Sequence, residues 1–124
     1  MLLQDFYTVA EISSEAPKHT ARINVNPTHE VFKGHFPGNP VMPGVCMMQI
    51  IKELTERILG TGLMMTSISN VKFMALINPE THPGLKLELD VSETPEGLVK
   101  VKNITYFDDT VALKFSGTYK KPLL

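Results

Sequence analysis

His35 stands in the stretch GHFPGNPVMPGV, Gly34 to Val45, which packs one histidine, three prolines and three glycines into twelve positions. Each proline fixes its own φ and restricts the residue before it, so Phe36-Pro37-Gly38-Asn39-Pro40 is too rigid for a mobile lid. Gly34 frees the backbone just ahead of the histidine. Pro43-Gly44 then opens a helix, whose first N–H groups have no partner inside it. An imidazole held near such donors suits a carbonyl compound: the donors polarise the oxygen while the imidazole moves a proton. The residues alone leave a second reading open, a loop histidine bonded to backbone.

Other reactive side chains point elsewhere. His19, His29 and His82 occur singly: His19 reads as a strand-edge surface residue, His29 as a turn or capping residue, His82 as part of a polar loop. With no HxxxH and no cysteine pair, no metal site is expected. Cys46, the one cysteine, falls near a helix start that would lower its pKa, so the residues alone leave a nucleophile and a packing residue both open. No Gly-rich phosphate loop and no Ser-centred nucleophile motif is present.

The elements that must position this loop are legible from pattern. Gly44 to Leu59, GVCMMQIIKELTERIL, is the best helix in the chain, with Pro43 before it and Gly60 and Gly62 after it. Met47, Ile51, Leu54 and Ile58 share one face at about 100° per residue, and Lys52, Glu53, Glu56 and Arg57 share the other, as an exposed helix end. Phe6 to Ser13 and His19 to Asn26 read as strands before it. After it come a long, bulged strand candidate, Met64 to Ile77, the Pro/Gly loop Asn78 to Gly84, and alternating runs at Leu85–Glu93, Leu98–Phe107 and Thr110–Tyr119. One helix among so many strands predicts an α+β fold, an antiparallel sheet wrapped around one long central helix, as a single domain over residues 1–124.

The chain's 124 residues are 43% apolar with 12 basic and 13 acidic side chains, for a formal charge of −1. That is material for one core and no strong field, so a nucleic-acid surface is not indicated. No apolar run approaches the roughly 18 residues that cross a bilayer, and the acidic N-terminal stretch is unlike a signal peptide. A cytoplasmic protein that needs neither membrane nor nucleic acid is expected.

The stretch His29 to Gln49, HEVFKGHFPGNPVMPGVCMMQ, resembles the active-site segment of the bacterial 3-hydroxyacyl-acyl-carrier-protein dehydratases, including Phe32 and an ungapped GHFPGNPVMPGV. Val71-Lys72-Phe73 is similar to the strand lining the acyl tunnel in that family. The resemblance implies the hot-dog fold, two subunits joining their sheets side by side, and active sites at the dimer interface. It implies that His35 takes the Cα proton, that backbone N–H groups of Phe36, Gly44 and Val45 hold the thioester oxygen, and that Met47, Met48 and Phe73 line the acyl tunnel. The substrate would be an acyl-carrier-protein-bound or acyl-CoA-type thioester, and no cofactor is implied.

One position departs from the family. Where its helix carries a carboxylate that protonates the departing hydroxyl from across the dimer, this chain has Gln49. An amide donates a hydrogen bond but no proton, and losing a general acid costs on the order of 10²–10⁴-fold in rate. Three explanations stand. His35 returns its proton to the hydroxyl while Gln49 positions it; Glu53, one turn on, or Glu30 substitutes; or the chain binds acyl carriers without turnover. Gln49 also has a plain reading, as the start of a solvated stripe. Dehydration of 3-hydroxyacyl thioesters to trans-2-enoyl products is the favoured expectation, with a non-catalytic subunit or an acyl thioesterase as the alternatives.

Overall fold

A computed structural model of the chain describes residues 5–32 and 41–122. Six strands and one long helix follow in the order β1 (Tyr7–Glu15), β2 (Lys18–Val25), α1 (Gly44–Leu59), β3 (Met64–Phe73), β4 (Gly84–Glu93), β5 (Leu98–Phe107) and β6 (Thr110–Lys120), with a short 3-10 turn at Glu30–Phe32 between β2 and α1. All strand pairs are antiparallel, in the order β1-β2-β4-β5-β6-β3. This is the α+β arrangement that the alternation and the long helix predict, and the hot-dog fold that the resemblance implies.

Period-two alternation sets which face turns inward. On β2, Ala21, Ile23 and Val25 are buried, and on β4, Leu85, Leu87, Leu89 and Val91. They join Met47, Ile50, Ile51 and Leu54 of α1 in one apolar cluster, so the sheet's inner face and the helix share a core. Two polar residues also face inward on β5, and they satisfy each other: Thr105 donates to Asn103 Oδ1 (2.9 Å), and Asn103 donates to the Glu88 carbonyl (3.0 Å).

The helix has the expected limits. Pro43 precedes it in extended backbone (φ −65°, ψ 141°), and Gly60 closes it at φ 71°, its N–H donating to the Glu56 carbonyl. That positive φ is the left-handed cap that glycine adopts without a Cβ penalty.

The third strand differs from the expectation of a run to Ile77. It ends at Phe73, and the N–H groups of Met74 and Ala75 both reach back to the Ala112 carbonyl. The chain then leaves the sheet and crosses toward the helix start, where Met42 N–H donates to the Ile77 carbonyl (2.9 Å). Apolar alternation cannot separate a strand from a covering segment of the same composition. The expected bulges are real: the β3–β6 register slips between Met65 and Ser67 and between Ile68 and Asn70. β3 lies at the sheet edge, with Met64, Ile68 and Phe73 exposed.

Candidate active site

The start of α1 has no side-chain cap. The N–H groups of Cys46 and Met47 both donate to the Pro43 carbonyl (3.1 and 3.2 Å), and those of Gly44 and Val45 have no acceptor among the described residues. These are the free first-turn donors of a helix, at its positive end. Gly44 lies in close approach to a neighbouring ring: a Cβ on it would fall 2.6 Å from Cζ of Phe73, which would have to move aside. Beside it opens a cavity of about 440 Å³, lined by Met42, Gly44, Met47, Phe73, Leu76 and Leu113 among others. Its walls are largely hydrocarbon, which suits an acyl chain. Met74 and Leu76 of its lining stand exposed; Val45 is exposed too, but it is not among the lining residues.

Gly44, Met47 and Phe73, all expected at the site, are thus brought together. Met48 is not among the residues lining the cavity; it is half-buried against the core. His35 and Phe36 lie outside the described residues.

Gln49 lies elsewhere. Two residues beyond Met47, it is turned about 200° around the helix and does not border the cavity. Its amide Nε2 donates to Glu53 Oε2 (2.8 Å), and the Tyr7 hydroxyl donates to Glu53 Oε1 (2.8 Å). Glu53 is only 8% exposed. The reading of Glu53, Glu56 and Arg57 as one exposed helix end is therefore corrected at its first member: the Tyr7 side chain of β1 reaches the buried carboxylate, and of the three only Arg57 is exposed. Glu56 is half-buried; it accepts from Leu63 N–H (2.8 Å) and pairs with Lys52 (3.5 Å). Burial, and then the hydrogen bond and charge of Glu53, push the Tyr7 phenol well above its ordinary pKa. It therefore stays a donor. No local signal marks Tyr7, which lies 46 residues from Glu53.

The remaining candidates resolve as ordinary structure. Cys46 is buried, and burial pushes its thiol up, away from a nucleophile's range. His29 Nδ1 accepts from Val31 N–H (3.0 Å), shaping the turn that holds Phe32, while Glu30 is exposed in that turn. His82 packs on Phe107, with Nε2 3.3 Å from Asp108. His19 bonds to Ser14 at the sheet surface (2.7 Å). No helix among the described residues is long and apolar enough to cross a membrane.

Comparison with known proteins agrees with the fold and bears on the chemistry. A family model described as ApeI-like, ApeI dehydratase, matches residues 11–116. A 3-hydroxyacyl-[acyl-carrier-protein] dehydratase, FabZ, from Fusobacterium nucleatum is 30% identical over 116 residues, covering 90% of this chain and 81% of its own. FabZ from Lactobacillus helveticus is 32% identical over 106 residues, covering 80% and 70%. Among solved structures, the dehydratase heterocomplex ApeI:P from Xenorhabdus doucetiae superposes with a TM-score of 0.68 at 23% identity, over 91% of this chain and 96% of that one. A Silicibacter protein provisionally assigned as a thioesterase superposes at 0.65 with 14% identity, over 98% and 83%. These two likenesses speak for the fold alone.

Proposed function

This chain belongs to the ApeI-like dehydratase family, and from that premise we propose that it removes water from 3-hydroxyacyl thioesters, carried on acyl carrier protein, to give trans-2-enoyl thioesters. The observation that carries this reading is the helix start: the amide N–H groups of Gly44 and Val45 have no acceptor among the described residues, and Gly44 lines an apolar cavity of about 440 Å³. They follow directly on the histidine-bearing motif.

The reaction needs no more than proton movement. An α-proton beside a thioester is weakly acidic, so its removal at neutral pH requires stabilised enolate oxygen. The amides of Phe36, Gly44 and Val45 are assigned to that oxygen, each well-aimed donor being worth roughly 3 kcal/mol. His35 takes the Cα proton, the Cα–Cβ double bond forms, and His35 returns that proton to the departing β-hydroxyl, which leaves as water. The acyl chain runs past Met47 toward Phe73, and unbranched methionines adapt to it.

Gln49 faces away from the cavity of its own chain, so in this reading it serves the site of a second subunit. The open edge of β3, with Met64 and Ile68 exposed, is the natural seam for a homodimer. The lone cysteine, buried and unpaired, is compatible with a reducing cytoplasm.

The amide at position 49 favours one second reading, a non-catalytic subunit. The Xenorhabdus neighbour is a heterocomplex, and a partner of different sequence would be a source for the missing proton donor. Incubating the purified chain with 3-hydroxyacyl and saturated acyl carrier thioesters separates the cases. Enoyl product that falls roughly 10²–10⁴-fold in His35→Ala supports dehydration. Free thiol released from the saturated thioester indicates hydrolysis, and binding without product indicates the subunit.

A further inference from the structure

We propose that Glu53 is a positioning residue for Gln49, and that the two, with Tyr7, form a hydroxyl-recognition device that selects 3-hydroxyacyl over saturated acyl chains. The inference rests on the reading that the site takes acyl thioesters and that Gln49 serves the site of a second subunit. Glu53 lies one turn beyond Gln49, about 6 Å along the helix axis, and accepts a hydrogen bond from its amide (2.8 Å).

The argument concerns direction. An ionised carboxylate only accepts hydrogen bonds. Glu53 has two buried oxygens, one taken by the Tyr7 hydroxyl and one by Gln49 Nε2. The amide of Gln49 must therefore turn an N–H toward Glu53, which directs its carbonyl oxygen away. That oxygen has no partner among the described residues, and Gln49 is half-buried. A free glutamine side chain would flip between donor and acceptor; this one is held in one sense. It offers an acceptor for the hydrogen of a 3-hydroxyl group, with its second N–H beside it. Tyr7 completes the lock, because a phenol that stays protonated cannot repel the carboxylate it faces.

The test uses the full chain with matched pantetheine thioesters, one 3-hydroxylated and one saturated. Affinities are measured in a His35→Ala background, so that turnover does not obscure binding. The unmodified network is expected to favour the hydroxylated ligand. Glu53→Gln keeps the volume but offers either end of an amide to Gln49, and should reduce that preference about 5- to 10-fold, the worth of one hydrogen bond. Tyr7→Phe should reduce it less. Affinity for the saturated ligand should hardly move in either variant, whereas a merely structural role would lower both affinities together. An absent preference at the outset overturns the inference, as does one unchanged by Glu53→Gln. Should Glu53→Gln fail to fold by circular dichroism, Tyr7→Phe decides in the same way. If the histidine-intact chain makes no enoyl product yet the preference behaves as described, the dehydratase reading falls and this one stands.

Discussion

The two flanks of α1 meet their surroundings in opposite ways. On the Met47 side the helix start is bare among the described residues: no side-chain cap, two amides without an acceptor, and an apolar cavity that extends to exposed Leu76. On the Gln49 side the polar groups are tied down, with a buried carboxylate accepting from both a phenol and an amide. The proposed reaction needs both conditions. Free donors are useful only where a ligand will take them, and a polar side chain holds one direction only where its neighbours oblige it to.

Gln49→Glu breaks this contrast most severely. It sets a second carboxylate within hydrogen-bond distance of Glu53, and two such groups cannot both ionise cheaply. One pKa rises in the folded state above its unfolded value. The variant should therefore match the parent in stability below about pH 4, then lose ground as pH rises toward the raised value, by roughly 1–3 kcal/mol at pH 7 for a pair with one buried and one half-buried member. Chemical denaturation across pH 4–8 reads this directly. The shared proton also restores an acid at position 49, so enoyl formation should increase even as the fold weakens. Adding Glu53→Gln should recover the lost stability at pH 7.

Gly44→Ala sharpens the comparison from the other flank. The new methyl meets the Phe73 ring, which is half exposed and free to swing. Unfolding stability should change by less than about 1 kcal/mol. Affinity for an acyl thioester should fall roughly tenfold as the displaced ring crowds the cavity, the low end of an overpacking cost. Calorimetric titration beside a thermal melt separates the two.

The smallest effects are expected from two tyrosines. Tyr7→Phe removes a bond to a carboxylate and should cost about 1 kcal/mol. Tyr119 is fully buried and its hydroxyl has no partner among the described residues, so Tyr119→Phe should be neutral or slightly stabilising. Burial, with the charge of Glu56, pushes the Tyr119 phenol up to about 12. A phenol raised in the folded state contributes stability that is intact below pH 10 and lost as pH climbs from 10 to 12, by up to ~1.4 kcal/mol per pH unit. Tyr119→Phe should flatten that alkaline decline, measured by denaturation at pH 9 and 11.

Much of this molecule is written in local pattern. Pro43 and Gly60 bound α1 because proline suits a first turn and glycine tolerates the left-handed cap. Leu85, Leu87, Leu89 and Val91 announce an inward face by period alone. The motif around Gly44 likewise marks the helix start as the place where free donors would gather. None of that depends on distant contacts.

What only the tertiary structure decided depends on residues far apart in the chain. Met74 to Ile77 reads as more strand until Ala112 and Met42 take its hydrogen bonds and lay it across the helix start. Glu53 reads as a solvated charge until β1 arrives from the other end of the chain with Tyr7. A sequence states which face of an element is apolar, because side-chain period is a local property. Which polar group is buried, and what it must hold, is settled only when packing removes water and leaves each donor to find an acceptor.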